Sequence, residues 1–174
     1  AVEDEHGVIA PWYTGLNGQC DARVRISAET LKRYPWTDPG KAPVSLPEYI
    51  YSGHWSIDEN GTISVPMITD WHNGDYGQRA AYSLGAFIEY YRYTGDAAAL
   101  AHITLYADAL LELALTPDDH PWPRFPVSVP IEGKPYGQAD PSGFMQLDIV
   151  GEIGVWMIRA AQIMGNERWM EAAR

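Results

Sequence analysis

Three aspartates lie just before or inside two predicted helices, and carboxylates at such positions can act as acids or bases. Asp75 and Asp140 each precede a helical run, whereas Asp148 lies about two turns inside the second run, among apolar residues. Either of the first two could simply cap its helix or interact favourably with the helix dipole. A buried carboxylate must be paired, protonated or next to a wet cavity. We therefore expect Asp148 either to face a cavity as an acid or to pair with Arg79 or Arg159.

Aromatic, amide and basic side chains follow or precede these aspartates in the chain. A concave surface that holds such groups together with carboxylates suits sugar recognition and glycoside cleavage. His72 is either a base, a sugar-binding group or a structural histidine, and Trp122 is either an aromatic platform or a residue that pins its loop. No metal site is predicted, since no histidine is placed with Asp148 and Glu152. The candidate substrate-binding residues are Trp71, His72, Tyr76, Gln78, Arg79, Trp122, Arg124 and Tyr136.

The elements that must position these residues form a repeated helical hairpin. Apolar residues at three- and four-residue spacing predict helices at about 76–93, 97–115 and 142–164, with a fourth from 167 onward. The turn glycines Gly95 and Gly165 lie 70 residues apart. A repeated helix hairpin indicates a stacked or circular αα array.

Antiparallel pairing within each hairpin fixes where the candidate residues lie. The two short turns share one rim, so the starts of the first and third helices share the opposite rim. Residues 70–75 and 135–140 should therefore converge there. Gly151 and Gly154 weaken the third helix, and we expect close packing or the approach of a ligand to compensate.

Cap and turn residues set the remaining boundaries. Asp96 is the predicted N-cap of the second helix, and Ser142 or Asp140 that of the third. Residues 1–69 are predicted to be irregular, apart from a short helix capped by Ser27 and a β-hairpin at about 54–66, which the Asn60-Gly61 turn indicates.

Composition narrows the class of protein. The chain of 174 residues carries 23 acidic and 12 basic residues and a net charge of -11. This charge argues against binding to nucleic acid and weakly against anionic membranes, and no apolar run is long enough to span a bilayer. A single cysteine, Cys20, excludes an internal disulfide. The first residue is not methionine, which favours a secreted or periplasmic mature chain.

Residues 70–174 resemble the six-hairpin glycosidase superfamily, the (α/α)6 toroids, and are most similar to the unsaturated glucuronyl and rhamnogalacturonyl hydrolases. The resemblance rests on the turn at 91–96, the following helix at 100–108 and the long loop that leads to an acidic helix start. The family's inner-helix aspartates correspond to Asp148, 17 residues before Gly165. The equivalent position before Gly95 is Gln78, with Asp75 one turn earlier.

The resemblance implies a mainly α fold in which this chain supplies about two of the six hairpins. The helical residues 167–174 carry no stop signal, so we expect either an incomplete toroid or a short docked terminal helix. The implied partners are an oligosaccharide or polysaccharide substrate and the remaining part of the toroid, with no cofactor.

The implied activity is hydrolysis of an acidic oligosaccharide, with Asp148 or Asp140 as general acid and Asp75 positioning water. A polysaccharide lyase is the alternative, with Tyr76 or His72 as base and Arg79 or Arg124 neutralising a uronate. A non-catalytic αα scaffold or sugar-binding subunit is the third possibility, in which the carboxylates are caps.

Overall fold

The protein is mainly helical in the computed structural model, which describes residues 18–36, 45–47, 56–64, 76–127 and 145–174. None of the helices in these ranges is long and apolar enough to cross a membrane. The elements are α1 (Gln19–Lys32), β1 (Ser56–Ile57), β2 (Ile63–Ser64), α2 (Tyr76–Thr94), α3 (Ala98–Leu113), α4 (Leu147–Met164) and α5 (Glu167–Ala172).

Helices α2 and α3 form a hairpin that turns at Gly95. This residue has φ 69°, a left-handed conformation that glycine adopts without steric cost. Asp96 Oδ1 accepts the backbone N–H of Ala98 at 2.9 Å, which satisfies a free donor at the start of α3. Phe87 of α2 stacks on His102 of α3, with ring centroids 4.4 Å apart, and locks the two helices side by side.

Helices α4 and α5 form a second hairpin, which turns at Gly165 with φ 63°. Asn166 caps α5 by accepting the backbone N–H of Trp169 at 3.3 Å. The Trp169 indole is buried, and its Nε1 donates to Asp108 Oδ1 of α3 at 2.8 Å. α5 is therefore joined to α3, and the two form one layer that covers α2 and α4.

Helices α2 and α4 pack together and run in the same direction. A Cβ on Gly85 would lie 2.4 Å from Trp156 Cε2, and Arg159 Nη1 donates to Glu89 Oε1 at 3.0 Å. Both contacts advance toward the C-terminal ends of both helices, so the two helices are parallel and their turn glycines lie at the same end. Glu89 and Arg159 are 70 residues apart, the spacing of the turn glycines, so the hairpins repeat in register.

The predicted starts of two helices are wrong. α1 begins at Gln19, so Ser27 lies inside it instead of capping it. α4 begins at Leu147 because its N-cap Gln146 is extended, with φ -124° and ψ 124°. Since Gln146 holds the N-cap position, neither Ser142 nor Asp140 caps this helix.

Close packing, one of the two explanations predicted for the glycines of α4, is also wrong, whereas the approach of a ligand stays a prediction. A Cβ built on Gly151 or Gly154 would meet no atom within 4 Å, whereas Gly85 of α2 makes the close helix contact. The β-hairpin is confirmed, with Ser56 opposite Ser64 and Ile57 opposite Ile63.

Replacing Gly85 by alanine should destabilise the fold by about 1–3 kcal/mol, since the new methyl group would overlap the Trp156 ring. Gly151→Ala is the matched control: its Cβ meets open space, so it should stabilise by roughly 0.5–1 kcal/mol. Urea unfolding of both variants measures the difference, and equal stabilities would contradict the close approach of α2 and α4.

His102 is a partly buried histidine at the contact between α2 and α3. Its Nδ1 is buried without a hydrogen-bond partner. Burial, together with the positive charge of Lys32, lowers the pKa of His102, while Asp96 acts in the opposite direction. The folded protein therefore favours the neutral imidazole. When the pH is low enough for the unfolded chain to protonate His102, the unfolded state gains stability relative to the folded state.

Acidification should therefore lower the free energy of unfolding. The contribution of the neutral His102 is fully present above the unfolded pKa of about 6.5 and is lost as the pH falls below that value. His102→Phe keeps an aromatic ring against Phe87 but cannot titrate, so it should lose less stability than the wild type between pH 7.5 and pH 5. Urea unfolding at both pH values measures the two losses, and identical losses would exclude His102 as the cause.

Candidate functional site

The surface of the α2–α4 pair that points away from α3 and α5 is open to solvent. On α2, Phe87 faces α3, whereas Tyr82 on another side of the helix is exposed. On α4, exposed side chains recur at three- and four-residue spacing and so lie on one face. This open face consists of Gln78 and Tyr82 of α2 and Asp148, Glu152, Val155 and Arg159 of α4.

Asp148 lies on the open face, in the first turn of α4. Its side chain is exposed, so the predictions that it is buried and lies two turns inside the helix are wrong. Neither predicted arginine pairs with it, because Arg159 binds Glu89 and Arg79 Nη1 has no hydrogen-bond partner. The carboxylate can therefore meet a solute, while its charge near the N-terminus stabilises α4.

Gln78 occupies the position in α2 that Asp148 occupies in α4. The two residues are 70 positions apart, and the parallel packing places them at the same level. Gln78 Nε2 donates to Tyr82 Oη at 3.2 Å, so an amide and a phenol stand beside the carboxylate face. Sequence reasoning missed Tyr82; the 70-residue repeat, which aligns it with Glu152, could have found it.

Glu152 is a second carboxylate on the open face, one helical turn after Asp148. Trp156 Nε1 donates to Glu152 Oε2 at 2.8 Å, and the Arg159 guanidinium lies 4.7 Å from the centre of the Trp156 ring. Two carboxylates on one face are a suitable pair for general acid–base chemistry. Sequence reasoning missed the role of Trp156, whose apolar neighbours gave no signal of a polar partner.

Arg79 and Tyr76 lie at the start of α2. Tyr76 is the first residue of the helix. Arg79 is partly buried and is spaced three residues from the exposed Tyr82 and four from the buried Ser83. Arg79 therefore lies at the edge of the open face, and its Nη1 is buried without a partner and could receive an anion.

Trp122 and Arg124 belong to a folded loop that follows α3. Thr116 is buried, and its Oγ1 accepts the backbone N–H of Phe125 at 2.7 Å and donates to the carbonyl of Trp122. Trp122 is 62% exposed, which favours the platform over the pinning role. The Arg124 guanidinium lies 3.8 Å from Asp118, so this cation is only weakly paired.

The same loop lies at the end of the molecule where α4 begins. A cavity of about 270 Å³ separates the loop from α4 and α5, and Arg124, Phe125 and Val150 are among its lining residues. Val150 and Asp148 are two residues apart and therefore point to different sides of α4. Trp122 and Arg124 thus share an end of the molecule with Asp148 but not a face.

The remaining candidates lie outside the described residues, and their convergence stays a prediction. They are Asp75, Asp140, Trp71, His72 and Tyr136. Within the described part of the chain, no group of three or more His, Cys, Asp and Glu side chains could hold a metal ion.

No protein-family model, no curated protein and no solved structure matches this chain. The open face itself is therefore the basis for assigning a function.

Removing the Thr116 hydroxyl should loosen the loop that carries Trp122. Thr116→Val keeps the shape but leaves the Phe125 N–H and the Trp122 carbonyl without this partner, at a cost of about 1–3 kcal/mol. Trypsin should then cleave faster after Arg124. Thr116→Ser keeps the hydroxyl and should be cleaved at the wild-type rate. If trypsin cleaves both variants at the same rate, the Thr116 hydroxyl does not hold the loop.

Proposed function

We propose that this protein is a carbohydrate-active enzyme of the six-hairpin (α/α)6 type, which hydrolyses a glycosidic bond in an acidic oligosaccharide. Two features of the fold support the proposal. The hairpins repeat in register, and they place α2 and α4 in one layer and α3 and α5 in another. An αα toroid repeats such pairs around a central cavity, and the open face would line that cavity.

The observation that carries the proposal is the exposed carboxylate of Asp148, which stands on the open face at the level of Gln78. An acid must reach the substrate oxygen within hydrogen-bond distance, so an uncovered carboxylate on a potential cavity wall meets the first requirement. We assign Asp148 the role of general acid, which protonates the leaving oxygen or a vinyl-ether double bond.

The attack of water requires a second group. Asp75, which directly precedes α2, is the predicted residue that positions this water. Glu152 is the alternative, because it lies one turn from Asp148 and its Oε2 is fixed by the Trp156 indole. The exposed ring of Tyr82 provides an apolar surface on which a sugar can stack.

A uronate lyase is the second candidate, and the unpartnered Nη1 of Arg79 favours it. In that reaction a base such as Tyr76 removes the proton next to the uronate carboxylate, while Arg79 or Arg124 neutralises the negative charge. The product gains a conjugated double bond, whereas hydrolysis of an unsaturated sugar removes one.

Ultraviolet absorbance of the conjugated double bond tests the proposal on unsaturated acidic oligosaccharides and on intact uronate polymers. We expect absorbance to fall with the unsaturated oligosaccharides, and Asp148→Asn to reduce the rate by at least about 10²-fold. Rising absorbance with the polymers would instead indicate the lyase.

Glu167→Gln provides the matched control, since Glu167 is an exposed acid in the first turn of α5, as Asp148 is in α4. Both substitutions remove a charge that favours a helix start, but only Asp148 lies on the open face. The control should keep wild-type activity. Unchanged turnover in Asp148→Asn would contradict the assignment and favour a non-catalytic scaffold or sugar-binding subunit.

A further inference from the structure

A second cleft, between α1 and α2, has no role in the proposed reaction. It encloses about 460 Å³, a volume typical of small-molecule sites. It lies along the half of α2 nearer Gly95, whereas Gln78 is nine residues before Phe87, or about 13 Å along the helix. Most of its wall is apolar or aromatic and is supplied by Val24, Ala28 and Leu31 of α1 and by Phe87, Tyr90 and Tyr93 of α2.

Polar contacts at both ends of α1 hold this cleft open. Near the start of α1, Tyr93 Oη donates to the buried Asp21 at 3.0 Å. At its end, Lys32 pairs with Asp96 and lies 5.1 Å from the centre of the Tyr90 ring. Although α1 is fixed at both ends and Ala28 is buried, Val24 does not close onto α2 and stays 41% exposed.

The charge that the cleft presents is positive. Glu89 lines it, but this carboxylate is already bound by Arg92 at 3.3 Å and by Arg159 at 3.0 Å. Arg23 also lines the cleft, and the structure gives it no ion pair with any described residue. An apolar wall with one uncompensated cation complements a molecule that has an apolar body and one anionic group.

We propose that the α1–α2 cleft binds a small amphiphilic anion, with its apolar body against Phe87 and Tyr90 and its carboxylate or sulfonate toward Arg23. This inference goes beyond the proposed function, since it does not involve Asp148, and the cleft meets the open face only at the Glu89–Arg159 ion pair. Cys20, the single cysteine of the chain, is exposed and lines the same cleft. Its thiol therefore reports on occupancy at this one place.

The test uses 1-anilinonaphthalene-8-sulfonate, an aromatic anion whose fluorescence rises in apolar surroundings. We expect saturable binding to the folded protein and slower alkylation of Cys20 by iodoacetamide when the probe is bound. Ala86→Trp and Val24→Trp fill the cleft from opposite walls, and each should abolish both effects. Binding that survives both substitutions, or that leaves Cys20 unprotected, would overturn the proposal.

A pair of charge reversals tests the anionic group separately. Arg23→Glu should lower the affinity for the sulfonate probe by about fivefold, as expected for the loss of an exposed ion pair. Arg33→Glu is the control, because Arg33 follows α1, is 77% exposed and does not line the cleft. The uncharged N-phenyl-1-naphthylamine should bind wild type and Arg23→Glu equally. Equal weakening of the sulfonate probe by both reversals would show a general charge effect and contradict the role of Arg23.

Discussion

Helices α2 and α4 approach each other closely at Gly85, and the packing of the other elements follows from this contact. Only a residue without a Cβ lets the Trp156 ring lie against α2, and this contact sets the separation and register of the two helices. The same indole donates to Glu152 and lies beneath Arg159, which reaches back to Glu89 on α2. Packing and the polar arrangement of the open face are therefore set by one interaction.

The second layer explains why the polar residues face outward on one side only. α3 covers one side of α2 through Phe87 and His102, and the Trp169–Asp108 hydrogen bond joins α5 to α3. With that side covered, the remaining face of α2 and α4 keeps its carboxylates, amide and phenol in solvent. Such a face can bind a polar, hydroxyl-rich molecule, and this property connects the fold to the proposed activity.

Local signals in the sequence were sufficient for the helices but not for their packing. Apolar spacing and the two turn glycines predicted α2 and the hairpin turns, because these features depend on neighbouring residues alone. The start of α4 was missed because its N-cap, Gln146, makes no side-chain cap hydrogen bond and so leaves no recognisable signal. The exposure of Asp148 was missed for another reason: the residues in line with it, Gly151 and Val155, are apolar and suggested a buried face, but Val155 is exposed.

Glycines show why tertiary contacts resist sequence reasoning. Gly151 and Gly154 are three residues apart, a spacing that predicts close packing or the approach of a ligand. The close contact is instead made by Gly85, which has no glycine partner at that spacing. What distinguishes Gly85 is the indole that arrives from a helix 70 residues later. The repeat length could have predicted the pairing of equivalent positions, such as Glu89 with Arg159, but not the size of the side chain at each contact.

The proposed site requires α2 and α4 to be parallel and in register. Spin-label distances in a Cys20→Ser background test this arrangement most directly, with one pair at positions 78 and 148 and another at positions 78 and 162. Parallel helices should give the shorter distance for the first pair, because the two positions lie side by side. The second distance should be longer by roughly 10 Å, since residue 162 lies almost four turns further along α4. The reverse order of the two distances would mean that the helices are antiparallel, and Gln78 and Asp148 would then lie at opposite ends of the pair.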